Sequence, residues 1–171
     1  VFLTLGRVPA QGLDPQGQGI QELSGQGSFE RSRARVLQWW KDRWGTRVAA
    51  PMLDNGSGLS RHERITAEGL VALLRDAAAR PAAGAVLAQS LPVAGVDGTA
   101  KRMGERGILQ KALGNAQVKT GTLRDVVAVA GYVQARDGRP WAVAAIVNHP
   151  NAGLARPALD AVLEWVASQG R

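Results

Sequence analysis

The sequence predicts a mixed α/β fold, an antiparallel sheet of at least three strands flanked by helices. Three observations predict it. The runs Val126 to Val133 and Trp141 to Val147 are apolar on both faces, so both faces of those strands must be covered. Arg136-Asp137-Gly138-Arg139 lies between them and carries the Asp-Gly hairpin signal, which makes the two strands antiparallel. Apolar residues at helical spacing stand on either side of this region, and helices are what cover a sheet buried on both faces.

The chain has 171 residues, enough for one domain with a core. Hydrophobic residues make up 45% and charged residues 20%, an ordinary globular composition that excludes a disordered or collagen-like chain. No run is long and apolar enough to cross a membrane. There is no cysteine, which excludes disulfides and cysteine-ligated metal. His62 and His149 are the only histidines and share no metal-binding spacing, so no histidine metal cluster is expected. The net charge is +7 with a pI near 11, which permits weak attraction to nucleic acid, anionic membrane or acidic wall polymers. The basic residues are spread out. Only Arg31, Arg33 and Arg35 cluster, and a helix would scatter them, so a solvated basic surface is expected rather than a nucleic-acid interface.

Taken in order, Val1 to Leu5 is an apolar run closed by Gly6, with no initiator methionine, and reads as the back end of a helix. The expectation is that this chain is a piece of a longer polypeptide. Residues 7–27 are rich in Gly, Gln and Pro without apolar period and read as a loop. Ser28 is an N-cap, with Phe29, Val36, Leu37, Trp40 and Trp44 on one helical face and Gly45 as the stop. The tryptophans read as core packing, with Trp39 off the face. Asp54 to Arg61 is a turn-rich segment whose short polar side chains suit a rigid, self-bonded binding loop.

Thr66 caps the next helix, with Glu68 in its first turn and Leu70, Leu73, Leu74 and Ala77 on its buried face. Pro81 ends it and opens a short helix reaching Leu87 to Leu91. Residues 92–107 read as a loop centred on Asp97-Gly98-Thr99, and 108–114 admit one helical turn closed by Gly114. Gln117 to Thr122 reads as a strand ending in a small-residue corner. At the far end, Pro157 starts a helix whose apolar face is Leu159, Val162, Leu163 and Val166.

The chemistry concentrates at Lys119-Thr120-Gly121. Lysine-threonine-glycine at a strand end is one of three signatures of the acyl-serine enzymes that bind penicillin. The ammonium attracts a peptide's terminal carboxylate and favours deprotonation of its neighbours. The threonine hydroxyl can bond that carboxylate. Glycine lets a substrate backbone lie against the strand, and the N–H of Thr122 can point at a developing oxyanion.

With its neighbours the motif becomes specific. The ordered landmarks are Phe2 to Gly6, Asp54 to Arg61, Leu91 to Thr99, Val118 to Leu123 and Ala130 to Val133. Over nearly its whole length the chain resembles the C-terminal part of the DacB-like, low-molecular-mass class C penicillin-binding proteins, D-alanyl-D-alanine carboxypeptidases and endopeptidases. The resemblance implies a partial transpeptidase domain of the penicillin-binding/β-lactamase-like fold, residues 1–171 forming the C-terminal portion of one D,D-peptidase domain. It implies hydrolysis of peptidoglycan stem peptides through an acyl-serine, inhibition by β-lactams, a periplasmic or otherwise extracytoplasmic site of action, and no cofactor. By resemblance the catalytic residues are Lys119, Thr120, Gly121 and Thr122. Ser57, Leu59, Ser60, Arg61 and Leu123 bind substrate, with Arg61 facing the free carboxylate of diaminopimelate.

Two signatures are missing. No serine here has a lysine three residues later, and S-x-N is absent. The resemblance therefore implies that the nucleophile lies upstream, on a half of the domain that would be this chain's partner. A β-lactamase or esterase on the same fold, a non-catalytic peptidoglycan-binding module, and a basic nucleic-acid binder are the rival readings. Deacylation rate, an S-x-x-K upstream and salt-sensitive DNA binding discriminate them.

Overall fold

The computed structural model describes residues 8–13, 19–24 and 27–170, the first two segments as backbone. The chain divides into two compact units, Val1–Ile65 and Thr66–Arg171. The helix end expected over Val1 to Gly6 lies outside the described residues.

In the first unit, β1 (Val8–Leu13) pairs antiparallel with β2 (Gly19–Ser24), Val8 opposite Ser24 and Leu13 opposite Gly19. This corrects the loop expected over 7–27. Glutamine, glycine and proline break the alternation that marks a half-buried strand, so the pairing left no period to read. Helix α1 (Phe29–Trp44) begins where expected, the Ser28 hydroxyl accepting from the Arg31 N–H and the Ser32 hydroxyl donating to the Ser28 carbonyl at 2.8 Å. Gly45 stops it at a positive φ of 58°, its N–H reaching the Lys41 carbonyl. Trp40 is buried and its indole N–H donates to the Val48 carbonyl at 3.2 Å. Its ring lies 4.5 Å from that of Trp44, on which Trp39 packs edge-on.

The second unit carries α2 (Ala67–Ala78) and α3 (Pro81–Ser90). A 3-10 turn (Gly98–Ala100) runs into the short α4 (Lys101–Gly104). Strands β3 (Ala116–Leu123), β4 (Val126–Gln134) and β5 (Pro140–Asn148) follow, then a 3-10 turn and α5 (Arg156–Ala167). Thr66 caps α2 by accepting from the Gly69 N–H. Of its expected face Leu74 is buried, while Leu70, Leu73 and Ala77 are half-buried. The loop expected over 92–107 is corrected to the turn and short helix just named, whose few residues are too short to show a period. Residues 108–114 form turns and bends without a helix.

The sheet order is β3-β4-β5, antiparallel throughout. Val127, Val129 and Val133 of β4 share one face with Ala116 and Val118 of β3, and all join the core with Leu159, Leu163 and Val166 of α5. Each such large side chain contributes about 2 kcal/mol on burial. Val162, expected on that face, is 37% exposed. Tyr132 points to the other face, where its hydroxyl donates to the Leu74 carbonyl of α2 at 2.7 Å. Burial holds the Tyr132 phenol above its ordinary pKa. Both faces therefore carry a helix.

One glycine sets the spacing of the sheet. A Cβ at Gly131 would stand 2.1 Å from the Gln117 carbonyl and 2.8 Å from the Val118 Cα. The approach of β4 to β3 just before Lys119 therefore needs a residue without a side chain.

Candidate active site

β3 is an edge strand for half its length. Pro92 to Ala94 run beside its beginning, Val118 donating to the Pro92 carbonyl and Ala94 donating to the Ala116 carbonyl, both at 2.8 Å. Main-chain groups alternate sides along a strand. The N–H and C=O of Thr120 and Thr122 thus point to the same side as those of Ala116 and Val118, past the end of that short segment. Among the described residues no strand covers them there. The Lys119 ammonium donates to the Thr120 carbonyl at 2.6 Å, which brings its charge to this open edge.

The side chains sort by the same parity. Thr120 lies opposite Val129 and Thr122 opposite Val127, so both project on the α5 face; Lys119 and Gly121 project on the other. On the α5 face, the Thr120 and Thr99 hydroxyl oxygens stand 2.9 Å apart. A cleft of about 820 Å³ opens there, lined by Thr99, Arg102, Arg106, Thr120, Thr122 and Arg156 among others. Arg106 grips both oxygens of the fully buried Asp160, its Nη2 at 2.7 Å from Oδ1 and its Nε on Oδ2. The hydrogen bonds to Asp160 hold the guanidinium above its ordinary pKa against the opposing effect of burial.

Behind the site, Glu164 of α5 clamps the loop that leads into β3. Its carboxylate accepts from the main-chain N–H groups of Gln110, Lys111 and Ala112 at 2.9–3.1 Å. Burial pushes the carboxyl up, but these donors and the Lys111 charge outweigh it and hold Glu164 below the usual carboxylate range.

The second group of expected residues lies in the other unit. Asp54 to Arg61 is cross-braced from within. Ser60 donates to the Asp54 carboxylate at 2.5 Å, Ser57 N–H to Asn55 Oδ1 at 3.0 Å, and Leu59 N–H to the Ser57 hydroxyl at 3.1 Å. Glu63 accepts from Gly56 N–H at 3.0 Å, and Gly56 and Gly58 adopt positive φ of 68° and 74°. Leu59 is 72% exposed and Arg61 is exposed. Leu123 belongs with the first group, half-buried at the end of β3 opposite Val126.

Sequence reasoning missed Thr99 as a neighbour of Thr120, although it marked the Asp97-Gly98-Thr99 segment. It also missed the Arg106–Asp160 and Glu164 contacts. These join α5 to residues more than fifty positions earlier, and no local spacing signals such a pair. His149 is structural, its Nδ1 accepting from the Asn151 N–H at 3.0 Å. No group of three or more histidine, aspartate or glutamate side chains suited to a metal ion occurs among the described residues.

The model of the D-Ala-D-Ala carboxypeptidase 3 (S13) family matches residues 18–169. The chain is 38% identical over 153 residues to a D-alanyl-D-alanine carboxypeptidase of an Actinomadura species, a match covering 86% of this chain and 26% of that protein. It is 32% identical over 110 residues to the D-alanyl-D-alanine carboxypeptidase DacB of Haemophilus influenzae, covering 64% of this chain and 22% of the relative. It spans about a quarter of the length of these relatives. The crystal structure of penicillin binding protein 4 (dacB) from Haemophilus influenzae aligns over 81% of this chain and 33% of its own, with TM-score 0.64 and 25% identity. A predatory endopeptidase of Bdellovibrio bacteriovorus aligns over 79% of this chain and 36% of its own at TM-score 0.62 and 19% identity, and so shares the fold.

Proposed function

The chain belongs to the D-Ala-D-Ala carboxypeptidase 3 (S13) family, and from that premise we propose that it forms the K-T-G wall of a serine D,D-peptidase acting on peptidoglycan stem peptides. The observation that carries the reading is the open end of β3. There the Thr120 and Thr122 main-chain groups point outward without a partner strand among the described residues, with the Lys119 ammonium 2.6 Å from the Thr120 carbonyl. An extended peptide can add to such an edge as a further strand, its main chain bonded to Thr120 and Thr122.

The reaction follows from that docking. A serine outside this chain, paired with its own lysine, attacks the carbonyl of the peptide bond before a terminal D-alanine or of a D-alanyl-diaminopimelate cross-link. The serine proton passes through that base to the departing amine, and water then cleaves the acyl ester and restores the serine. The Thr122 N–H supplies one of two donors to the oxyanion, a contact worth about 2.7–4 kcal/mol in the transition state. Lys119 supplies positive charge beside the reacting groups, and the Thr120 hydroxyl faces the leaving residue's carboxylate. Separately from that edge, the self-bonded loop of Ser57, Leu59, Ser60 and Arg61 is proposed as a contact for a stem-peptide side chain. No metal or cofactor takes part in this scheme. β-Lactams, which mimic the D-Ala-D-Ala carbonyl, are the expected inhibitors, and one is bound in a crystal structure of the Haemophilus relative. Because peptidoglycan is the substrate, the protein is placed outside the cytoplasm. No helix among the described residues is long and apolar enough to cross a membrane.

The test is intact-mass analysis with benzylpenicillin, followed by peptide mapping. The enzyme that joins this chain to an S-x-x-K serine is expected to gain one adduct on that serine, and the chain alone none. A stoichiometric adduct on any of Ser24, Ser28, Ser32, Ser57, Ser60, Ser90 or Ser168 would overturn the placement of the nucleophile.

A further inference from the structure

The geometry points to Thr99 as a positioning residue that makes the Thr120 hydroxyl a hydrogen-bond donor to the substrate's terminal carboxylate. This rests on the reading above, in which Thr120 faces that group, and goes beyond it by naming what orients Thr120. The two hydroxyl oxygens are 2.9 Å apart, although twenty-one positions separate them in the sequence.

That distance is set by the main chain. Thr99 sits in the turn Gly98–Ala100, between Gly98 at φ 51° and the fully buried Ala100. Asp97 fastens the turn, its carboxylate accepting from the Val93 N–H at 2.6 Å and its carbonyl from the Lys101 N–H at 2.9 Å. The Gly95 N–H reaches the Ala100 carbonyl at 3.1 Å. Pro92 and Ala94, which flank Val93, are bonded directly to β3 at Val118 and Ala116. Thr99 and Thr120 are therefore held on one frame, and a β-branched side chain has few rotamers with which to leave it.

The chemistry follows from a count of protons. A hydroxyl has one proton to give and can accept through its lone pairs, while a carboxylate can only accept. Only one proton can lie between the two threonine oxygens. When Thr120 gives its proton to a carboxylate, Thr99 must be the donor within the pair. The order Thr99 to Thr120 to carboxylate is then fixed, and each bond polarises the next. Without Thr99 the Thr120 hydroxyl is a free rotor that the substrate must orient for itself.

The experiment uses the complete enzyme carrying Thr99→Val or Thr99→Ser, with an acylated D-Ala-D-Ala peptide and the C-terminal methyl ester of the same peptide. Thr99→Val is expected to lower kcat/KM roughly three- to tenfold on the free acid, mainly through KM. It should lower the ester less, because an uncharged ester carbonyl accepts a weaker bond than a carboxylate, and Thr99→Ser should restore the free acid to within about twofold, since serine keeps the donor. Equal loss on acid and ester, no loss with valine, or no rescue by serine would each overturn the inference. Benzylpenicillin labelling of the wild type separates it from its premise. A wild type that is not acylated overturns the D,D-peptidase reading and this inference with it, whereas an acylated wild type with an indifferent Thr99→Val overturns this inference alone.

Discussion

Arg61 and Lys119 illustrate how differently a single charged residue can be read. Arg61 closes a loop whose side chains bond one another, and its own carbonyl accepts from Arg64 at 2.6 Å. A structural arginine would serve there as well as a binding one. The two roles separate on substrates. If the guanidinium recognises the diaminopimelate carboxylate, Arg61→Ala in the complete enzyme weakens stem peptides that carry it by roughly 1.5–3 kcal/mol and spares peptides that lack it. Equal loss of kcat/KM on both would assign Arg61 to the loop's own architecture. Lys119 is simpler to place. It is one of four lysines in the sequence, and the K-T-G motif makes it the first candidate for the proposed chemistry. The direction its ammonium takes along the strand edge could come only from the coordinates.

At the scale of elements, helix ends and the three strands of the second unit were legible because their signals are local. Ser28 and Thr66 cap where short polar side chains precede apolar periods, and Pro81 and Pro157 each sit in a first turn. The Asp137-Gly138 connection lies where expected, Gly138 at φ 80° with its N–H on the Ala135 carbonyl. The β1–β2 hairpin was illegible because its residues carry no alternation. The clamp of Glu164 on the 110–112 loop was illegible because it joins distant segments. That clamp has a pH signature. The folded carboxyl titrates below its unfolded value, so its stabilisation is fully present above the ordinary carboxylate pKa and is lost as pH falls through the lower folded value. The Tm of the wild type should exceed that of Glu164→Gln near neutral pH, and the gap should close below about pH 4. A gap that persists undiminished into acid would mean that the carboxylate charge does not matter to the clamp.

For the whole molecule, the family and the fold class could be read from the sequence, and Lys119 to Gly121 singled out as a candidate, because the family's landmarks are short, ordered and local. What could not be read is how the second unit frames that motif. Gly131 brings β4 against β3, Glu164 anchors the entering loop, Arg106 and Asp160 close the cleft floor, and Thr99 meets Thr120. Each of these depends on residues brought together only by the folded sheet, the Gly98–Ala100 turn and α5. Together they hold the open end of β3 where a substrate strand would lie, which ties the proposed catalysis to this frame rather than to the tripeptide alone. The most direct measurement is the rate at which benzylpenicillin acylates the complete enzyme, wild type against Lys119→Met, with a thermal melt of each. The expected result is an unchanged melt with acylation slowed roughly a hundredfold or more, and only partial recovery in Lys119→Arg, whose guanidinium keeps the charge without the compact geometry. Acylation at the wild-type rate by a folded Lys119→Met enzyme would contradict the assignment of this strand to the active site.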